Sequence, residues 1–344
     1  NRRYFGHVGT KAGTSAPVFG TAISTYTFPD TPTELVPVAT GVGATHRVTF
    51  SWLAGENEPT GTRYQLELGR DNEFVDAVGT YPVGFGQTVL EVPVDLEANR
   101  EYFAHVRAVG NVGGGIMSGW SLSASTYTAV AAPSVVTVDS DTNTLKVTWA
   151  GGGGRETNAL NTKYKLTWET EGVSSSLTST PPGLTLTARE LTPNTTYTLT
   201  VAALPGTGSF WPDGVALVGD RVTLAKTPLA GSYTLFTSSA FVTWGNNENP
   251  LGKTLYRVEV DADADFSSVD KFSETRDLST HVTGLAPNTT YYGRMKAINH
   301  ANTGTSWVPV WAASATYAAV PSLALGDFTL YSDSGTVTWN PNGN

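Results

Sequence analysis

Apolar and polar residues alternate along many short stretches of this chain. Leu145, Val147 and Trp149 alternate with Lys146 and Thr148, and Tyr164, Leu166 and Trp168 alternate with Lys165 and Thr167. Tyr197, Leu199, Val201 and Ala203 alternate with Thr198, Thr200 and Ala202. A period of two places one set of side chains on a buried face and the other in water, as in a half-buried β-strand. Turn formers separate these runs at Gly151 to Gly154, at Pro181–Pro182–Gly183 and at Thr192–Pro193–Asn194. Short alternating strands with frequent turns predict an all-β fold of antiparallel sandwiches. No stretch carries the 3.6-residue period of an amphipathic helix.

The pattern repeats. The segment NRRYFGHV at Asn1 returns as NREYFAHV at Asn99, NTTYTLTV at Asn194 and NTTYYGRM at Asn288. A second marker, Val-Thr followed closely by Trp, ends at Trp52, Trp149, Trp244 and Trp339. Both markers recur about every 95 residues. That period is longer than the roughly 20 to 50 residues of a solenoid unit. It matches a small domain with its own core, so the chain reads as a tandem array.

Composition narrows the function classes. Of 344 residues, 40% are hydrophobic and only 15% charged, with a net charge of −9. Nucleic-acid wrapping and binding to anionic membranes both need clustered Lys and Arg, which are missing here. No apolar run approaches the length of a membrane span, so no membrane insertion is expected in this segment. Cysteine is absent, which removes disulfides, thiol chemistry and Cys-ligated zinc.

The repeated units resemble fibronectin type III domains. That family carries a Trp on strand B, a Tyr on strand C, and a Leu shortly before a Tyr at the start of strand F. The corresponding residues are Trp52, Tyr64, Leu96 and Tyr102; Trp149, Tyr164, Leu191 and Tyr197; and Trp244, Tyr256, Leu285 and Tyr291. The Leu–Tyr spacing is the same in all three and fits a tyrosine corner, whose hydroxyl bonds nearby backbone. Gly119–Trp120–Ser121 fits the element that opens strand G, Ser306–Trp307–Val308 fits it partly, and Phe210–Trp211–Pro212 fits it weakly. The resemblance implies a tandem array of immunoglobulin-like, fibronectin type III antiparallel β-sandwiches. The expected units are 1–31 (strands F and G of one domain), 32–131, 132–227, 228–319, and 320–344 (strands A and B of another). The sequence is expected to be a window on a longer array. Ala131–Ala132–Pro133 and Ala319–Val320–Pro321 read as short linkers stiffened by proline.

No constellation for catalysis stands out, and the segment is expected to be no enzyme and to need no cofactor. Asp261, Asp263 and Asp265 open like a calcium loop, but Phe266 and Phe272 occupy the positions an EF-hand gives to Gly and Glu. Asp71 and Phe74 repeat Asp263 and Phe266, so the pattern reads as turn chemistry and no metal site is expected. His7 and His105 share one repeat position, out of phase with the buried set, and read as exposed strand histidines. Asn194-Thr195-Thr196 and Asn288-Thr289-Thr290 are formal glycosylation sequons in a turn that itself favours Pro-Asn. Trp339 reads as core by repeat. Trp211 and Trp311 are the remaining candidates for an exposed contact surface.

These features point to a structural segment of a long extracellular or cell-surface protein, of bacterial type, that builds a stalk, fibre, filament or surface layer. Low charge and Thr/Ser-rich faces favour association with other copies of the same chain or with other surface proteins, and carbohydrate is a further candidate partner. The alternatives are a spacer in a secreted polysaccharide-degrading enzyme and an adhesin stalk.

Overall fold

The computed structural model of the chain describes residues 1–40, 46–110, 116–151, 158–207, 209, 212–324 and 326–344. All regular structure among the described residues is β. Four short strands come first: β1 (Arg3–Gly6), β2 (Gly9–Thr10), β3 (Val18–Phe19) and β4 (Ile23–Tyr26). β1 pairs with β4 and β2 with β3, all antiparallel.

Three sandwiches follow, each of seven strands. The first comprises β5 (Thr33–Thr40), β6 (Arg47–Leu53), β7 (Thr62–Gly69), β8 (Ala77–Val83), β9 (Val89–Glu91), β10 (Glu101–Gly110) and β11 (Ala124–Tyr127). Its sheets run β5-β6-β9 and β11-β10-β7-β8. The second comprises β12 (Ser134–Ser140), β13 (Leu145–Ala150), β14 (Tyr164–Thr170), β15 (Val173–Thr178), β16 (Thr185–Ala188), β17 (Thr196–Ala203) and β18 (Gly214–Val222). The third comprises β19 (Leu229–Leu235), β20 (Ser239–Gly245), β21 (Leu255–Asp261), β22 (Lys271–Thr275), β23 (Ser279–Thr283), β24 (Thr290–Ile298) and β25 (Val308–Ala315). Both repeat the same three-strand and four-strand sheet orders. A last antiparallel pair joins β26 (Phe328–Leu330) to β27 (Gly335–Val337).

Each sandwich has a separate hydrophobic cluster. Trp52, Tyr64, Leu96 and Tyr102 are buried in the first, Trp149, Tyr164, Leu191 and Tyr197 in the second, and Trp244, Tyr256, Leu285 and Tyr291 in the third. Within each, Trp and Tyr rings from facing sheets pack with centroids 5.4 to 5.5 Å apart. The corner hydroxyls accept backbone N–H groups in three identical 3.0 Å bonds: Glu97 to Tyr102, Thr192 to Tyr197 and Ala286 to Tyr291.

Several expectations change. Trp311 is only 5% exposed and offers no contact surface. Irregularities in the β24–β25 pairing bring it opposite Gly293, inside the sandwich. A Cβ on Gly293 would lie 2.5 Å from the indole, so the missing side chain is what makes room for the ring. The indole Nε1 donates to the Tyr291 carbonyl at 3.1 Å, and Tyr233 stacks on the ring at 5.0 Å. Trp339, expected in a core, is 60% exposed; among the described residues no sheet faces the β26–β27 pair. Trp211, with Phe210 and residues 152–154 of the glycine run, lies outside the described residues.

His105 is not an exposed strand histidine. Phe74 and Trp120 stack on its two faces at 3.7 and 3.9 Å, and its Nε2 lies 2.9 Å from Glu67. Arg107 then covers Trp120 at 4.2 Å. The third sandwich builds the same ladder with cations: Arg294 lies between Phe266 and Trp307, and Lys296 also covers Trp307. The Asp-x-x-Phe turns start both ladders. Phe74 and Phe266 have φ of 58° and 52°. The Asp71 carboxylate accepts the N–H groups of Glu73, Val75 and Asp76, which holds its carboxyl below the usual range. In the third sandwich Asp261 and Asp265 accept the N–H groups of Asp263 and Ser267.

Candidate functional site: the asparagine joints

The contacts between successive sandwiches use the same residue types at the same places. Two asparagines, one on either side, form the joint into each of the three sandwiches.

The first asparagine tops the turn before the tyrosine corner. Asn99, Asn194 and Asn288 have φ of 52°, 44° and 47°, a left-handed conformation that Asn tolerates better than most residues. This turn aims the side chain out of its own sandwich. Asn99 Nδ2 donates to Thr162 Oγ1 at 3.0 Å and to the Leu204 carbonyl at 2.9 Å, and its Oδ1 accepts the Gly206 N–H at 2.9 Å. All three partners belong to the second sandwich. Asn194 repeats the arrangement in the third: Nδ2 donates to Thr254 Oγ1 at 2.9 Å and Oδ1 accepts the His300 N–H at 2.8 Å. Asn1 likewise donates to Thr62 Oγ1 at 3.0 Å and to the Gly61 carbonyl. Each receiving threonine stands two residues before the strand tyrosine Tyr64, Tyr164 or Tyr256.

The second asparagine pins the linker. Asn57, Asn158 and Asn249 each present an amide edge to one linker residue and bond both its N–H and its C=O. The Oδ1 atoms accept from Asp30, Ala131 and Lys226 at 2.9, 3.0 and 2.8 Å. The Nδ2 atoms donate back to the same residues at 2.8, 2.7 and 2.7 Å. A second donation from Nδ2, to Ala54, Gly151 or Asn246, fixes the amide in its own loop. Asn344 makes the same two-point contact with Ala319.

Burial makes these bonds costly to lose. Asn57, Asn99, Asn158, Asn194 and Asn249 are all buried, and a buried amide left without partners forfeits about 1–3 kcal/mol. Close packing adds to the fit, since a Cβ on Gly206 would strike the Tyr127 ring. An ion pair, Lys253 Nζ to Glu171 Oε1 at 2.6 Å, also crosses the second-to-third joint. Lys253 holds the Glu171 carboxyl below its ordinary range.

The joints bear on the sequons. Asn194 is 0% exposed and its Nδ2 donates into the next sandwich, so a glycan on that nitrogen excludes the joint. Sequence reasoning assigned these asparagines to turn chemistry and missed the pinning set. One signal marks that set: an Asn follows Trp52, Trp244 and Trp339 by the same interval, at Asn57, Asn249 and Asn344. In the second sandwich extra residues separate Trp149 from Asn158.

The joints can position and couple folded units. Among the described residues, no group of three or more His, Cys, Asp or Glu side chains is placed to hold a metal ion. No helix is long and apolar enough to cross a membrane.

Comparison with known proteins finds partial similarities. The chicken CNTN1 FN1–FN3 domains align over 85% of this chain and 100% of their own, at 18% identity and a TM-score of 0.28. A two-domain fibronectin type III segment of chicken tenascin aligns over 54% of this chain and 99% of its own, at 18% identity and a TM-score of 0.40. Residues 131–213, in the second sandwich, match the family model of the fibronectin type III domain. The second sandwich is thus similar to a fibronectin type III domain, and the sandwiches on either side repeat its strand order and buried markers.

Proposed function

We propose that this chain is a structural segment of an extracellular, bacterial-type surface protein, in which successive sandwiches are held at a set rotation to build a stalk, fibre or surface layer. One observation carries the reading: a pair of asparagines bridges the junction into each of the three sandwiches, one reaching the same threonine position and the other pinning a linker residue. A freely jointed spacer has no need of buried, directional contacts at every linker. Here each linker residue is held at both its N–H and its C=O, which removes the backbone freedom a flexible tether needs. The absence of cysteine fits sandwiches that are stable on their own cores. Low charge and polar outer faces favour weak association with further copies, and such contacts add along an array.

The test is the length distribution of the chain, measured by small-angle scattering and negative-stain microscopy. The wild-type chain is expected to give one narrow end-to-end distance. The double variant Asn99→Asp/Asn194→Asp keeps side-chain shape but loses the amide donors, and is expected to broaden that distance into a bent population. A wild-type chain as variable in length as the double variant overturns the reading in favour of a flexible spacer.

A further inference from the structure

The outer faces of the three four-stranded sheets differ. In the first and third sandwiches the face is filled by the ladders of stacked rings and cations, and their carboxylates are paired: Glu67 with His105, and Glu259 with both Arg257 and Arg294. Among the described residues the second sandwich has no ladder, and Thr200 stands on β17 where His105 and Arg294 stand in the other two. Its strand register lays out flat rows instead. The central row reads Ser176, Thr167, Thr200, Leu217 across β15, β14, β17 and β18. On β14, Lys165 lies two residues to one side of Thr167 and Glu169 two residues to the other, on the same face. Both are exposed and, among the described residues, neither has an ion-pair partner. Leu217 and Val215 on the same face are 73% and 58% exposed.

We infer that this face is a contact between two copies of the chain, related by a two-fold axis that lies in the contact plane along the Thr167–Thr200–Leu217 row. The inference rests on the array reading above and names the surface through which arrays associate. The argument is charge complementarity. Such an axis is perpendicular to the strands and reverses them, so each Lys165 meets Glu169 of the second copy and the reverse pair forms at the other end. The same operation sets Leu217 against its own counterpart, covering the most exposed aliphatic group of the face. A self-complementary patch of this kind is what an isologous contact requires. Contiguous exposed apolar surface rimmed by polar residues marks association sites. The threonine and serine rows are flat enough for two sheets to approach, and their hydroxyls can bond across.

The experiment is sedimentation equilibrium of the whole 344-residue chain at low salt, where surface charges are least screened. The wild-type chain is expected to dimerise reversibly. Lys165→Glu and Glu169→Lys alone place like charges opposite one another and are expected to weaken the dimer about tenfold or more. The double variant Lys165→Glu/Glu169→Lys restores opposite charges across the axis, so its dimer is expected to return to within about threefold of wild type. Leu217→Lys is expected to abolish dimerisation, and its exposed position leaves folding intact by circular dichroism. A double variant no better than the singles, or a Leu217→Lys dimer as tight as wild type, overturns this contact and leaves the array reading in place. A wild-type chain that stays monomeric up to its solubility limit overturns both this contact and self-association. The set rotation of the joints is judged separately by the length distribution.

Discussion

Asn99 shows what one side chain contributes at a joint. Its left-handed φ of 52° turns the amide outward, and three bonds then hold it in the neighbouring sandwich. Asn99→Asp keeps the shape but offers no donor, and places a carboxylate against the Leu204 carbonyl. It is expected to destabilise the chain by about 2–3 kcal/mol in urea titrations. The corner tyrosines are a second case. Tyr102→Phe removes the acceptor of the Glu97 N–H and is expected to cost about 1–2 kcal/mol. Burial raises the phenol of Tyr102, and those of Tyr64, Tyr164 and Tyr256, above the ordinary 10.0. The folded state therefore holds protons that the unfolded chain releases. Stability from these groups is complete below the unfolded value and is lost as pH rises through the folded values. Alkaline unfolding monitored by tyrosine absorbance should show these phenols ionising with the unfolding transition and not before it.

At the scale of elements, the β24–β25 pair shows how a bulge overrides alternation. The pairing shifts on both sides of Gly293 and turns Trp311 into the core. Simple alternation along β25 does not reveal which face the tryptophan takes. Gly293→Ala places a methyl group where the indole lies and is expected to cost about 1–3 kcal/mol by overpacking. Thermal melts of the chain with and without the change would measure it, and Trp311 fluorescence should shift toward that of exposed indole. A third-sandwich transition unmoved by Gly293→Ala would mean the ring has another berth.

At the scale of the whole molecule, separate cores are joined by few but directional bonds. Trp149→Ala leaves a cavity under the facing sheet and is expected to destabilise the second sandwich by about 3–5 kcal/mol. Its neighbours keep their own clusters and are expected to lose only what their shared joints contribute. Calorimetry of wild type and variant would separate the two: one transition should move far and the others slightly. If every transition moved together by the full amount, the joints would be as strong as a shared core.

The sequence alone determined the strands, the repeat and the buried markers, because period-two alternation and a tyrosine corner are local patterns that depend on near neighbours in the chain. It also carried the turn chemistry of Asp71 and Phe74, whose bonds span only a few residues. Tertiary structure decided the rest. The joints link residues such as Asn99 and Gly206, far apart in sequence, and an asparagine in a turn looks the same whether its amide meets water or the next sandwich. His105 reads as solvent-facing until Phe74, from the turn after β7, and Trp120, from the segment before β11, stack on it. The pairing of Lys165 and Glu169 about Thr167 was present in the sequence, but which residues lie beside them on that face follows only from the strand register. Local patterns choose the elements. Which buried polar group finds which partner depends on the approach of distant chain segments, and only folding brings those together.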